Sequence, residues 1–291
     1  MLNFMRRAWT APVTQSDLEQ TLRQLGVERH RPIIVHSSLS SLGNMIGGTA
    51  AVLGALERVS STILMPAFTY YTLVWPQNQR SEDWPTQPGE DGPPFRSSSP
   101  VSRDIGRIPQ AMIERYGSLR SNHPALSFVA SGNDAQKILG AQTLGHPYAP
   151  IGVLAHLDGL VLLLGVDQRS NTSIHYGEYL AGRPLLERWA NSQDGIVRTF
   201  YPNCSAAFHG IEASLTTLRV ADLGKATLQV MSVRDVIAAT RRLIANNPEA
   251  LLCNYPNCRC QNVRRKIRRD GVHPRQDIRL EEWLDKHETV L

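Results

Sequence analysis

The chain has 291 residues, of which 42% are hydrophobic and 20% charged, and its net charge is +5 at pH 7. This length is enough for one large domain with a sizeable core, and the composition excludes a fibrous or low-complexity protein. No apolar run approaches the roughly 18 residues of a membrane-spanning helix, and residues 1–7 lack the apolar core of a signal peptide. We therefore expect a cytoplasmic protein with no membrane partner, either a monomer or a homodimer.

The first part of the chain has the pattern of a β-α-β unit. A Ser-Asp-Leu-Glu capping box at residues 16–19 and a stop at Gly26 predict a first helix. Residues 32–36 predict a strand, residues 47–58 a helix and residues 62–66 the next strand. Such a unit favours a parallel sheet with a right-handed crossover.

Strand and helix signals continue to residue 246 without an internal repeat or a clear linker. We predict a single α/β domain over residues 1–291, a layered α/β sandwich with a mainly parallel central sheet. The Pro- and Gly-rich residues 75–100 are interpreted as a flap-like insertion over the site, with a solvated insertion as the alternative. Residues 250–291 form a C-terminal extension with a cysteine cluster. The other predicted elements are helices at 104–116, 134–139, 150–156, 206–218 and 232–246, and strands at 126–130, 159–166, 195–201 and 226–230.

The candidate catalytic residues follow the buried strand 159–166. One of residues 171–173 can cap a helix in which His175 and Glu178 are three residues apart and share one face. The carboxyl end of a central strand is where open α/β sheets place their chemistry. Histidine is the usual general base near neutral pH, and a nearby carboxylate raises its proton affinity. The alternative is a surface ion pair of little energetic weight.

Four motifs in this order resemble those of the aminoglycoside 3-N-acetyltransferase family. They are His-Ser-Ser-Leu-Ser-Ser-Leu-Gly at 36–43 with the following Gly-Gly, Met-Pro-Ala-Phe-Thr-Tyr at 65–70, Arg-Ser-Asn-His-Pro with a serine at 120–127, and Asn-Thr-Ser-Ile-His with a glutamate at 171–178. The resemblance covers residues 15–245. It implies an α/β sandwich of the family's own type, distinct from the acetyltransferase fold with a split central sheet.

The resemblance implies acetyl-CoA as the donor and the 3-amino group of an aminoglycoside as the acceptor, an antibiotic-resistance activity. An ammonium group must lose a proton before it attacks a thioester, so we assign His175 as the general base of a direct transfer. Glu178 orients this base or holds a second ammonium of the substrate, and Thr172 contacts the thioester carbonyl. Cys204 as an acyl-carrying nucleophile is a weaker alternative, because no base is adjacent to it in sequence.

Two further sets of residues are expected to bind the substrates. Hydroxyls and backbone N–H groups in the turn after strand 32–36 suit a pyrophosphate or the pantetheine amides, and the segment from Arg120 adds charge-assisted contacts. A plain polar turn and a structural loop histidine at position 123 are the alternatives. The cofactor set is His36, Ser37, Ser38, Leu39, Ser41, Arg120, Ser121, His123 and Ser127, and the acceptor set is Tyr70, Asp83, Glu90 and Glu178.

The residues after Glu178 leave the identity of the acceptor open. A polycationic sugar needs carboxylates in its cleft, yet residues 183–194 mix arginines with acids and contain no dense acidic run. The alternative acceptor is an amino sugar of a surface polysaccharide or another small amine.

All four cysteines of the chain are candidate ligands of one structural zinc ion: Cys204, Cys253, Cys258 and Cys260. Unrelated thiols in a loop are the alternative, and a reducing cytoplasm disfavours disulfides. The basic run at 264–269 raises a different class of function, a zinc-stabilised module that binds nucleic acid. This run lacks the interleaved aromatic residues that stack on bases, so we expect no nucleic-acid partner.

Overall fold

The computed structural model describes residues 12–75 and 92–287, so residues 76–91 of the predicted insertion lie outside the described residues. None of the described helices has both the length and the apolar character needed to cross a lipid bilayer. The helices are α1 (Gln15–Gln24), α2 (Gly48–Val59), α3 (Arg107–Ile113), α4 (Ala135–Gly140), α5 (Ala149–His156), α6 (Ser173–Leu180), α7 (Val233–Asn246), α8 (Cys260–Asp270) and α9 (Ile278–His287). The strands are β1 (Ile33–Ser37), β2 (Thr62–Pro66), β3 (Leu73–Val74), β4 (Leu119–Arg120), β5 (Phe128–Gly132), β6 (Leu160–Leu164), β7 (Leu186–Ser192), β8 (Gly195–Tyr201), β9 (Arg219–Leu223) and β10 (Ala226–Ser232).

A seven-stranded sheet in the order β4-β5-β2-β1-β6-β10-β9 forms the centre of the molecule. Its middle strands β2, β1 and β6 are parallel, whereas the outer strands pair in antiparallel fashion. The parallel centre follows from the sequences Ile-Ile-Val-His-Ser in β1 and Leu-Val-Leu-Leu-Leu in β6, which are almost wholly buried. The predicted α/β sandwich is confirmed, and its sheet is parallel in the middle and mixed overall.

Side chains of the central strands alternate between two cores, one on each face of the sheet. Ile34 and Leu163 belong to the core that includes residues of α5, α6 and α7. Ile33 and Leu162 belong to the core that includes residues of α1, α2 and α3. Successive strand residues point to opposite faces, so the apolar strands supply both layers and the result is a three-layer sandwich.

A second, smaller sheet contains β3, β7 and β8 in that order. The sequence predicted β8 but not its partner β7, whose Leu-Glu-Arg-Trp-Ala-Asn-Ser sequence carries two charged residues. The two strands pair in full from Leu186↔Tyr201 to Ser192↔Gly195 and form a hairpin. The hairpin ends at Tyr201, so the segment that follows it starts at the candidate site.

Two predictions about helices differ from the structure: the capping residue of the first helix and the α-helix at 206–218. Thr14 caps α1, since its hydroxyl accepts from the Asp17 N–H at 3.2 Å and the Asp17 carboxylate accepts from the Thr14 N–H at 2.8 Å. Residues 206–218, predicted as a helix, contain a short 3-10 helix at Phe208–Ser214. Its buried residues Phe208 and Ile211 are three apart, a spacing that suits the three residues per turn of this helix.

The C-terminal residues pack against the sandwich. Leu280 and Leu284 of α9 join the core that α5 also contributes to. The Asp277 carboxylate, 8% exposed, accepts a hydrogen bond from the Tyr176 hydroxyl at 2.8 Å and lies 2.6 Å from His146 Nε2. This contact ties the segment before α9 to α6, the helix that carries the candidate base.

Gly177 allows α6 to approach α7 closely. A Cβ atom at position 177 would lie 2.7 Å from the Cβ of Thr240. We expect Gly177→Ala to lower the free energy of unfolding by about 1–3 kcal/mol through overpacking. In a Thr240→Gly background, which lacks this Cβ, the same change should be neutral or stabilising, since alanine favours a helix by about 1 kcal/mol over glycine. Urea denaturation of the four proteins checks this, and an equal cost in both backgrounds would contradict it.

Candidate active site

A cavity of about 740 Å³ opens at the carboxyl ends of β1 and β6. The two strands pair in parallel from Ile33↔Leu160 to Ser37↔Leu164, so the segments that follow them emerge side by side. Open α/β sheets bind their ligands at such a point. The lining residues include several that the sequence singled out: His36, Ser37, Ser38, Leu39, Tyr70, Thr172 and His175.

A buried network at the start of α6 holds the imidazole of His175. Its Nδ1 lies 2.8 Å from Glu178 Oε2, and Glu178 Oε1 accepts hydrogen bonds from Arg183 and, at 3.0 Å, from Asn203 Nδ2. Burial opposes ionisation of Glu178, but the Arg183 guanidinium and the hydrogen bonds from His175 and Asn203 outweigh it and lower the pKa of the carboxyl. An ionised Glu178 makes Nδ1 the protonated nitrogen of His175 and leaves Nε2 as the basic one.

Aromatic rings fix the plane of the same imidazole. Tyr148 stacks on His175 with ring centroids 5.6 Å apart, and Phe208 meets it edge-on at 4.7 Å. Hydrogen bonding fixes one nitrogen and packing fixes the plane, so the imidazole is held in one orientation at the cavity wall. An imidazole positioned in this way is able to take a proton from a group bound in the cavity.

Thr172 occupies the N-cap position of α6 but makes no side-chain capping hydrogen bond. Its backbone N–H instead donates to His36 Nε2 at 3.4 Å. Burial lowers the pKa of His36 to about 3, so this imidazole is neutral and able to accept. Thr172 therefore lines the cavity with a hydroxyl that the helix terminus does not use.

The turn after β1 has the predicted hydroxyl-rich form. The Ser41 N–H donates to Ser38 O at 3.2 Å, and the Ser41 hydroxyl donates to Ser38 Oγ at 2.8 Å. Ser37 Oγ is buried without a hydrogen-bond partner among the described residues, a costly state that a ligand or water would relieve. Ser37, Ser38 and Leu39 line the cavity, whereas Ser41 is outside its lining and supports the turn.

Four residues expected to contact the cofactor are not part of the cavity lining: Arg120, Ser121, His123 and Ser127. The Arg120 guanidinium donates to Ala67 O at 2.6 Å and to carbonyl oxygens of the preceding loop. Ser127 Oγ donates to Ala67 O at 2.8 Å, and Ser121 Oγ accepts from the Phe128 N–H at 2.9 Å. These polar atoms join β4 and β5 to the end of β2, and contact of this segment with the cofactor stays a prediction.

His123 is a buried structural histidine. Its Nδ1 accepts from the backbone N–H groups of Leu126 at 2.9 Å and Ala125 at 3.3 Å, so Nε2 carries the proton and donates to Thr199 Oγ1 at 2.8 Å. Burial lowers the pKa of His123 to about 3. A neutral imidazole with both nitrogens engaged has no charge to offer a phosphate.

The buried His123 makes stability depend on pH. Its pKa is about 6.5 in the unfolded chain and about 3 in the folded chain, so the unfolded state binds more protons between these values. The free energy of unfolding should fall as the pH falls through this range, by up to about 1.4 kcal/mol per pH unit from this residue. The variant His123→Asn keeps a hydrogen-bond acceptor close to the position of Nδ1 but cannot titrate. Its free energy of unfolding, measured by urea titration between about pH 5 and 7, should therefore depend less steeply on pH than that of the wild type. His36 titrates equally in both proteins, so parallel pH curves would contradict the assignment to His123.

The acceptor residues expected from the sequence have different outcomes. Tyr70 lines the cavity. Asp83 and Glu90 lie outside the described residues. Glu178 is 2% exposed and is not part of the lining, and both of its oxygens face donors of the protein. Of the two roles expected for Glu178, the geometry therefore favours orientation of the base over contact with a substrate ammonium.

Several lining residues were not anticipated. The 3-10 turn Arg103–Ile105 leads through Gly106, at φ +98°, to the start of α3, where a Cβ on Gly106 would lie 3.7 Å from Ser37 O. Arg259, which stands between Cys258 and Cys260 in the sequence, also lines the cavity. The close spacing of these two cysteines could have marked Arg259 as part of a tight turn. The unanticipated lining residues include Arg103, Asp104, Gly106, Arg107, Tyr148, Arg169, Tyr201, Ser205 and Arg259.

Cys204 and the three cysteines of residues 253–260, which are distant from it in sequence, converge beside the end of β8. Their Sγ atoms all lie within 4.8 Å of one another, and Cys204 Sγ is 3.4 Å from both Cys253 Sγ and Cys260 Sγ. All four are free thiols. Sulfur atoms gathered in this way are able to hold a metal ion.

Comparison with known sequences gives consistent matches. A family model described as aminoglycoside 3-N-acetyltransferase matches residues 34–245. Aminoglycoside N(3)-acetyltransferase IX of Micromonospora chalcea is 33% identical over 182 residues, which are 58% of this chain and 63% of that protein. The prophage-derived aminoglycoside N(3')-acetyltransferase-like protein YokD of Bacillus subtilis strain 168 is 35% identical over 180 residues, 58% of this chain and 66% of YokD. The chain thus spans less than two thirds of the length of these curated relatives.

Solved structures share the fold. The crystal structure of YokD has a TM-score of 0.70 at 29% identity, covering 82% of this chain and 96% of YokD. The apoenzyme of aminoglycoside acetyltransferase AAC(3)-IVa has a TM-score of 0.73 at 26% identity, covering 89% of this chain and 99% of that one. A mutant of AAC(3)-IVa in complex with a gentamicin has a TM-score of 0.72 at 25% identity, with the same coverage.

Proposed function

The chain belongs to the aminoglycoside 3-N-acetyltransferase family, and on that premise we propose that it transfers the acetyl group of acetyl-CoA to an amino group of an aminoglycoside. The observation that carries the proposal is the buried Glu178 carboxylate, which holds the His175 imidazole at the cavity wall. His175 is the proposed general base. The proposal includes one structural zinc ion on the four cysteines, which takes no part in the chemistry.

The proposed reaction is a direct transfer in a ternary complex. Nε2 of His175 takes a proton from the acceptor amine as the amine nitrogen attacks the thioester carbon. The new C–N bond forms, the C–S bond breaks, and the departing CoA thiolate takes up a proton to become the thiol. The Thr172 hydroxyl is proposed to donate a hydrogen bond to the carbonyl oxygen as negative charge develops there.

Acetyl-CoA as the donor is supported by the chemistry of the cavity wall. Ser37 Oγ is a buried hydroxyl without a partner among the described residues, as expected of a group that meets a ligand amide or phosphate. Arg103 and Arg107 flank the same turn across Gly106 and add positive charge. Charge-assisted hydrogen bonds from arginine suit the phosphates of CoA.

A second class of acceptor is favoured by the charge of the cavity. Among the described lining residues the arginines are Arg103, Arg107, Arg169 and Arg259, and the acidic residue is Asp104. Arg169 is paired with Asp167, so the remaining excess of Arg103, Arg107 and Arg259 over Asp104 attracts a polyanionic donor and repels an acceptor with several ammonium groups. An amino sugar with one amine, neutral or anionic elsewhere, is therefore the alternative acceptor.

The experiment that tests the function follows the release of free CoA thiol from acetyl-CoA in the presence of single acceptors. The panel contains gentamicin, apramycin, glucosamine and glucosamine 6-phosphate, and a reaction without acceptor measures hydrolysis. Mass spectrometry of the product identifies a single added acetyl group. We expect turnover with the aminoglycosides.

The outcomes separate the acceptor from the chemistry. Turnover restricted to the amino sugars would keep the transferase and replace the acceptor class. Thiol release that no acceptor stimulates, by a protein that still binds acetyl-CoA, would contradict acetyl transfer to all four amines.

A further inference from the structure

The thiol cluster joins two segments that are distant in sequence. Cys204 follows the hairpin of β7 and β8, whereas Cys253, Cys258 and Cys260 lie in the loop after α7 and at the first residue of α8. A small apolar core separate from the two main ones surrounds the four sulfur atoms. The cluster is therefore the point at which the C-terminal loop meets the end of the hairpin.

The hairpin side of this junction contacts Glu178. Asn203, the residue before Cys204, donates from Nδ2 to Glu178 Oε1 and to Cys204 O, both at 3.0 Å. Arg259, which stands between two of the cysteines, donates to Pro202 O at 2.9 Å and to Asn203 O at 3.1 Å. Asn203 is 2% exposed. Asn203, whose side-chain amide supports Glu178, is thus held both by the segment that carries Cys204 and by the segment that carries Cys258 and Cys260.

The C-terminal side of the junction contacts Glu178 through Arg183. Arg183 donates to the Glu178 carboxylate and, from Nη2, to the carbonyl oxygens of Pro248 and Ala250 at 2.7 Å each. Arg264 holds the part of this loop that follows Ala250, since its Nη1 donates to Cys253 O at 2.6 Å. The guanidinium that pairs with Glu178 is therefore anchored on the loop that carries three of the cysteines.

We propose that the four cysteines bind one zinc ion and that this ion, by joining the two segments, keeps Asn203 and Arg183 on Glu178 and so positions the imidazole of His175. The ion contacts neither donor nor acceptor. Asn203 is a positioning residue in this scheme. The proposed positioning of His175 by the ion rests on the proposed function, in which His175 is the base. The proposed metal site is independent of that function.

The donor set suits structural zinc. Zinc takes thiolates at about 2.3 Å in a tetrahedron, which puts neighbouring sulfur atoms about 3.8 Å apart. The observed 3.4 Å pairs and the 4.8 Å limit for the whole cluster are close to this geometry. Four sulfur ligands leave no open position for a reactant, which is typical of structural sites. Each thiol that binds releases its proton to solvent.

The test compares Cys258→Ser with Asn257→Ser, an exposed neighbour in the same loop that is changed to the same residue. Metal analysis should find about one zinc ion per chain in the wild type and in Asn257→Ser, and little in Cys258→Ser. We expect Cys258→Ser to have a kcat roughly 10–10²-fold lower, with an altered pH profile of kcat. Asn203→Ala should keep its zinc and share the altered pH profile, which a merely structural role would not produce.

Proton NMR of the His175 Nδ1–H that faces Glu178 provides a readout that needs no acceptor. This resonance should be present in the zinc-loaded protein and lost or shifted when zinc is removed, so the test stands even if acetyl transfer fails. Zinc-free protein with four reactive thiols, iron in place of zinc, or cysteines joined as disulfides would overturn the metal site. Zinc-loaded wild type and zinc-free Cys258→Ser with the same resonance and the same kcat would overturn the positioning role.

Discussion

Replacing His175 with alanine should lower kcat for acetyl transfer by about 10²–10⁴-fold. The reason is that the imidazole, oriented by Glu178 and by two aromatic rings, is the group proposed to take the proton from the amine. Affinity for acetyl-CoA should be unchanged, since the serine turn after β1 is not altered. Thiol-release kinetics measure kcat, and titration calorimetry measures acetyl-CoA binding.

The matched control for this prediction is His30→Ala. The His30 side chain is 74% exposed and is paired with Glu28 at the surface, so its loss should leave kcat unchanged. His175→Gln serves as a second variant that fills more of the space between Tyr148 and Phe208. A wild-type rate in both His175 variants, with the acetylated product verified, would remove His175 from the role of base.

Replacing Arg183 with methionine should lower the free energy of unfolding by about 3–5 kcal/mol, because it leaves a buried carboxylate without its charge partner. Arg183 is 1% exposed and Glu178 is 2% exposed, so solvent screens this pair little. Urea denaturation near neutral pH measures the loss. The corresponding surface change, Arg169→Met, breaks an exposed pair with Asp167 and should cost far less stability, because solvent screens this pair.

The double variant Arg183→Met with Glu178→Gln buries no charge and should lose less stability than the sum of the two single changes. Its pH dependence should also differ. The pKa of Glu178 is lowered in the folded protein, so its contribution to stability is present above the ordinary value of 4.5 and is lost as the pH falls through the lower folded value. The double variant lacks this acid-sensitive contribution, and additive losses would argue against a coupled pair.

Local sequence patterns were enough to predict the middle of the sheet and the edge of the sheet at which the cavity opens. The apolar runs of β1 and β6 favour strands buried on both faces, and the polar turns that follow them meet at one edge. The partner strand β7 was missed because its Glu187 and Arg188 are not typical of a strand. Arg188 is fully buried, which tertiary contacts and not local preference explain.

Residue type alone predicted the lining of the cavity less completely than the fold. It tells which hydrogen bonds a side chain can make but not whether the partner is a ligand or another part of the chain. Arg120 and His123 find their partners in backbone groups and a threonine, and so do not line the cavity. Arg259 reaches the cavity because four cysteines separated by up to 56 positions meet beside it, a contact that no local pattern predicts.

The polar groups that hold the His175 imidazole through hydrogen bonds stand apart from the wall of the cavity. Glu178, Arg183 and Asn203 are not among the lining residues of the cavity, whereas Tyr70 and Tyr201 are. Mutations at wall positions such as Tyr70, which contacts neither His175 nor these three groups, should therefore leave the orientation of the imidazole intact, unlike mutations of Tyr148, which stacks on His175. For the proposed transferase, such a division would allow substitutions at wall positions such as Tyr70 to change the acceptor without altering the carboxylate that holds His175.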